Sequence, residues 1–217
     1  MIKNNLAGRI AVIFSVAIFL AIASVAYVKA ENKGPSLIIS NNQIFYYFLL
    51  PPGWASLNMT EDVTEKNAGT GHWTGKHKDS QALMEISLVT RDKGVDFKTV
   101  INGTKEYSES EYSKEELAPG LWTRCSYFNL PIEHNYKCYA FKNPKKGAYE
   151  LWVFIELTPK AVVIFTLTGA GNYKACIAPY TDDLNKLIRS FRLGPLSSKD
   201  VEKSMKEIYG EDEDGEV

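Results

Sequence analysis

The first hydrophobic feature of the chain is an uncharged run from Ile10 to Val28, preceded by Lys3 and Arg9. A basic flank, an apolar stretch and small residues near its end make an export signal. Val28-Lys29-Ala30 offers a cleavage site that would release Glu31, and Ala21-Ile22-Ala23 offers a second. At 19 residues the run also approaches the ~20 that cross a bilayer, so an uncleaved signal anchor is the rival to cleavage. Either way the basic flank stays in the cytoplasm. Residues 31–217 are then extracytoplasmic, either periplasmic or secreted, or tethered to the cytoplasmic membrane by residues 10–28. No cysteine lies near the end of the leader, so lipid anchoring there is unsupported.

Residues 31–42 read as a short linker. Gln43–Leu50 is a dense apolar run stopped by Pro51-Pro52-Gly53, the pattern of a buried strand ending in a turn. Residues 58–80 are polar and glycine-rich, with weak strand character from Gly71 to His77. Gln81–Thr90 reads as a strand, and Asp96–Ser110 as a helix with an approximate apolar face of Val95, Phe97, Val100, Ile101 and Tyr107, weakened by Gly103. Leu121–Asn129 and Asn135–Lys142 read as strands joined by a short loop at Pro131.

Ala148–Leu157 alternates cleanly, with Leu151, Val153 and Ile155 on one face and Trp152 and Phe154 on the other. Ala161–Thr168 is apolar on both faces and should be central. Ile177, Leu184, Leu187, Ile188 and Phe191 recur at helical spacing, with Pro179 marking a kink or a first turn. Residues 197–209 form a short polar helix, with Ser197 and Asp200 in capping-box spacing. Four strands in succession from Leu121 to Thr168 imply an antiparallel meander. The fold class is α+β, an antiparallel sheet flanked by helices.

The chain has 217 residues and a formal net charge of -1. That figure conceals a basic leader, a near-neutral body over 43–194, and a tail from Glu211 to Glu216 that holds five acids. The tail repels itself and should be disordered. No basic excess exists to neutralise phosphates, which argues against a nucleic-acid partner.

Three features then stand together: the Phe48-Leu49-Leu50-Pro51-Pro52-Gly53-Trp54 strand and turn, the antiparallel meander, and a last helix ending Leu187-Ile188-Arg189-Ser190-Phe191-Arg192. This arrangement resembles the PsbP-like superfamily, which includes Mog-type Ran-binding proteins and small bacterial exported proteins. The order of elements agrees from about Gln43 to Leu193. The resemblance implies an α-β-α sandwich without a shared catalytic centre, in proteins that bind partners or support assembly of membrane complexes. No family binding site matches here residue by residue.

Recognised chemistry is sparse. Gly69-Thr70-Gly71-His72-Trp73-Thr74-Gly75-Lys76 suggests a phosphate loop, but His77 stands where Ser or Thr is needed, and Thr70 where a glycine is needed. The patch therefore reads as a flexible loop. His72, His77 and His134 are the histidines, and no third ligand near His72 and His77 completes a zinc set. No Gly-x-Ser-x-Gly and no His-Glu-x-x-His occurs. Asn58 and Asn102 head Asn-x-Thr sequons, relevant only in a eukaryotic secretory host. Trp73, with His72 and His77 beside it, is the candidate partner-binding anchor, the alternative being a loop tucked down by its own Trp.

Export permits disulfides. Cys125 and Cys138 are equidistant from a turn between Pro131 and Ile132, so they oppose each other on hairpin strands and are expected to pair. Cys176 reads as a buried spare.

The reading is an exported non-enzymatic binding or accessory module at the outer face of the cytoplasmic membrane or in the periplasm. Its partner would be an envelope protein, with no cofactor, no metal, and membrane contact only through an uncleaved leader. Two alternatives remain. One is an extracytoplasmic hydrolase with an illegible triad. The other is a small-ligand binder with an apolar pocket near Trp73 or Trp122.

Overall fold

A computed structural model describes residues 35–40, 45–65, 68–113, 121–125, 130, 132–143 and 147–210. The leader, both cleavage sites and the acidic tail lie outside the described residues.

Among the described residues ten strands form two antiparallel sheets. The smaller has the order β1-β2-β10, from Ser36–Ser40, Tyr46–Leu50 and Arg192–Leu193. The larger has the order β3-β4-β5-β9-β8-β7-β6. Its strands are β3 (Trp54–Glu65), β4 (Ala68–His77), β5 (Leu83–Thr90), β6 (Leu121–Arg124), β7 (Asn135–Asn143), β8 (Ala148–Thr158) and β9 (Ala161–Ala170). Helix α1 (Phe97–Ser113) follows β5. After β9 come α2 (Tyr173–Cys176), a 3₁₀ turn at Ala178–Tyr180, α3 (Thr181–Ser190) and, beyond β10, α4 (Ser198–Tyr209). Of the described helices, none is long and apolar enough to cross a membrane.

The core follows the alternation of the strands. Leu151, Val153 and Ile155 of β8 join Val163, Phe165 and Leu167 of β9 in the main cluster. Phe154 and Ile164 point the other way and pack with Ile101 of α1, with Phe97, Val100 and Trp152 against them. The apolar second face of β8 is therefore covered rather than exposed. β9 lies between β5 and β8, as its apolar run requires.

Three segments depart from expectation, the first being Trp54–Glu65, which forms strand β3 where the sequence reads as polar. Ser36–Ser40, expected within a linker, pairs with β2 from Ser36↔Leu50 to Ser40↔Tyr46. Its Leu-Ile-Ile triplet suits a strand, and the larger apolar run on Tyr46–Leu50 supplies the partner. The glycine-rich stretch is not a flexible loop either: it is strand β4, paired with β3 along one edge and β5 along the other. Gly69, Gly71, Trp73 and Gly75 alternate on its buried face. The glycines admit bulky neighbours, since a Cβ at Gly71 would meet the Tyr46 ring at 3.0 Å. Phe48 of β2 then contacts Trp73 edge-on, with ring centroids 4.9 Å apart. The small sheet approaches the large one across this glycine row.

The last helix breaks at Pro179, where the missing N–H favours a first-turn position. Ser197 caps α4, its Oγ accepting the Asp200 N–H at 3.4 Å.

Candidate functional site

The end of α3 builds one wall of a cleft. Leu184, Leu187 and Ile188 bury its apolar face, so the helix axis is fixed and Arg189 is carried to the cleft mouth. Ser190 is buried, and its Oγ accepts the Leu49 N–H at 2.9 Å while donating to Leu187 O at 2.8 Å. Phe191 leaves helical geometry with ψ 130° and leads into β10, which pairs Arg192 with Tyr47.

Arg192 then organises the surroundings. Its Nη1 donates to the carbonyls of Arg189 at 2.6 Å and Phe191 at 2.9 Å, satisfying acceptors that the helix end leaves open. Its Nη2 donates to Ser204 Oγ of α4 at 3.2 Å. This draws α4 alongside, and its Glu207 reaches the same cleft.

The cleft is open to solvent and has a volume of about 480 Å³. Ile155 and Phe165 form its floor, both buried, with Phe191 edge-on to Phe165 at 5.5 Å. Ile132, Glu133 and His134, ahead of β7, and Leu157 and Thr158, at the end of β8, also line it. Clefts of ~300–1,000 Å³ with an apolar floor and a few polar groups are the usual form of a binding site. Arg189 is half-buried, and its side chain has no hydrogen-bond or ion-pair partner among the described residues. Glu207 is 3.7 Å from Lys203. An apolar floor below one uncommitted guanidinium can take an apolar group that bears an acceptor.

Of the histidines named from the sequence, His134 lines the cleft, whereas the candidate anchor Trp73 and its neighbours His72 and His77 lie elsewhere. Trp73 is fully buried, its indole N–H donating to Ser56 Oγ at 2.8 Å, so it serves as a core residue and not as an exposed anchor. His77 packs against Trp54 and Tyr180 at 5.3 and 4.8 Å between ring centroids. His72 points to the opposite face of β4 from Trp73. Its Nδ1 shares a hydrogen bond with Ser87 Oγ at 3.1 Å, and its Nε2 one with Thr74 Oγ1 at 3.0 Å. Burial holds His72 below its ordinary pKa. Hydroxyls take both ring nitrogens, so the nucleophile–base–acid order of a triad is not assembled around it.

The sheet face that carries His72 also bears Glu85, diagonal to Glu150 across β9. Burial, and then the Glu150 charge, push the Glu85 carboxyl up to about 7. Glu150 is buried and accepts the Trp152 indole N–H at 2.8 Å. Lys105 of α1 lies 3.3 Å from the centroid of Tyr139 and 5.6 Å from that of Trp122. Among the described residues no group of three His, Cys, Asp or Glu side chains converges to hold a metal ion.

Cys125 and Cys138 do face each other. The Cys125 N–H donates to Cys138 O at 3.0 Å, continuing the β6–β7 register, and both side chains are buried. The structure carries them as thiols that share a hydrogen bond. Cys176 is buried on α2 and its Sγ donates to Asn172 O at 2.9 Å.

The cleft has little trace in the sequence. Its one visible signal is Arg189 and Arg192, three apart in the sequence across the end of α3. No protein-family model matches the chain, and no curated protein matches it.

Proposed function

We propose that this protein is an exported binding module without catalytic activity, built as a PsbP-like α-β-α sandwich, that recognises an envelope protein through the cleft between α3, α4 and the end of β8. One observation carries the reading: about 480 Å³ with an apolar floor and an uncommitted Arg189 at the mouth. Pockets of this kind receive the buried apolar anchors that dominate protein interfaces. The leader supports export, and α1 packed on one sheet face with α3 on the other supports the sandwich.

Affinity capture from the native envelope tests the reading. The wild-type protein should retain one specific partner. Leu157→Trp, which fills a half-buried cleft position, should lose that partner at an unchanged melting temperature. N-terminal sequencing of the captured protein should begin at Glu31 if the leader is removed after Ala30.

The size of the cleft also suits a small amphipathic ligand. In that case native mass spectrometry of the wild-type protein would show an added mass that Leu157→Trp lacks.

A further inference from the structure

The cleft wall at Ile132–His134 lies between the two facing cysteines in the chain. Three interactions hold that stretch. Leu130 is buried in the main core, its N–H donates to the Tyr136 hydroxyl at 3.2 Å, and Leu130 O accepts the Ile132 N–H at 2.9 Å. Glu133 and His134 are exposed. Cys125 stands before the stretch, just past the end of β6, and Cys138 stands after it on β7. Their shared backbone hydrogen bond puts them in directly opposed register, within the Cα separation that a disulfide spans.

We propose that Cys125 and Cys138 are an oxidative modification site, and that joining them locks the Ile132–His134 wall of the cleft onto β6 and β7. The oxidant is a small or protein disulfide. The thiolate of one cysteine attacks a sulfur of that disulfide, forming a mixed disulfide and releasing one thiol. The second cysteine thiolate attacks the protein-side sulfur of the mixed disulfide and releases the other thiol. The protein loses two hydrogens and the oxidant is reduced to two thiols.

Access to the thiols comes from the sheet edge. β6 is an edge strand of four residues, so few hydrogen bonds need open before Cys125 meets solvent. In the closed state the hydrogen bond to Cys125 and burial hold the Cys138 thiol well above its ordinary pKa, so exchange waits on opening. Cys176, committed to Asn172 O on a separate helix, does not compete.

The importance of the lock rests on the cleft being the binding site, but its test needs no ligand. The purified protein is treated with oxidised or reduced glutathione, alkylated and mapped by mass spectrometry. Amide hydrogen exchange of Ile132–His134 is then compared between the two forms. Oxidation should link the Cys125 and Cys138 peptides, leave Cys176 alkylated, and slow exchange at Ile132–His134 by about tenfold or more. A Cys138→Ala variant should show no slowing of exchange with oxidant. The proposal fails if both thiols remain alkylatable after oxidation, or if the link forms and exchange at Ile132–His134 does not change.

Discussion

The indole of Trp73 lies over Gly75, so closely that a Cβ at position 75 would meet Cζ2 at 2.6 Å. Trp73 is fully buried and Phe48 packs against it edge-on, so the ring has no room to move. Gly75→Ala should therefore destabilise by about 3 kcal/mol, the cost of overpacking a closed core. Gly103 is the contrast. It lies inside α1, and a Cβ added there would meet nothing within 4 Å, so Gly103→Ala should stabilise by about 0.5–1 kcal/mol. Urea unfolding of the two variants checks the opposite signs.

Ser190 ties the end of α3 to β2. Without its Oγ the buried Leu49 N–H loses its acceptor. Ser190→Ala should cost about 1–3 kcal/mol, and Ser190→Thr, which keeps an acceptor, should cost less. Shifts in melting temperature of the two variants measure the difference.

Glu85 makes stability depend on pH in a defined direction. Below its ordinary value of 4.5 the carboxyl is protonated in the folded and unfolded chains alike, and its effect on stability does not change with pH. Between 4.5 and about 7 the unfolded chain releases the proton while the folded chain keeps it, so stability falls as pH rises. Above about 7 the loss is complete, at no more than about 3 kcal/mol. Urea midpoints at pH 5 and pH 8 should show this decline in the wild-type protein and a much smaller one in Glu85→Gln.

Much of the fold is legible in the sequence. The alternation of β8 separates Leu151 and Val153 from Phe154, and the structure sends the two sets to different clusters. Ser197 and Asp200 mark the start of α4. Glycine is the misleading signal. In Gly69–Gly75 it suggests a loop, because glycine usually serves backbone freedom. Here it provides space for Tyr46 and Trp73, a requirement set in part by residues far away in sequence. The burial of Trp73 is hidden for the same reason. The cleft is illegible because its floor comes from β8 and β9 and its walls from α3 and the stretch before β7. No local spacing encodes that meeting. The facing of Cys125 and Cys138 is legible because a hairpin register is local.

Photo-crosslinking from the cleft in the native cell envelope is the most direct test of partner binding there. A photoreactive amino acid replaces Thr158, which is exposed and lines the cleft, and Lys98, exposed on α1, as the control. Binding through the cleft predicts one discrete protein adduct from position 158, absent from position 98 and lost when Arg189→Ala is added. Equal adducts from both positions, or none from position 158, would contradict it.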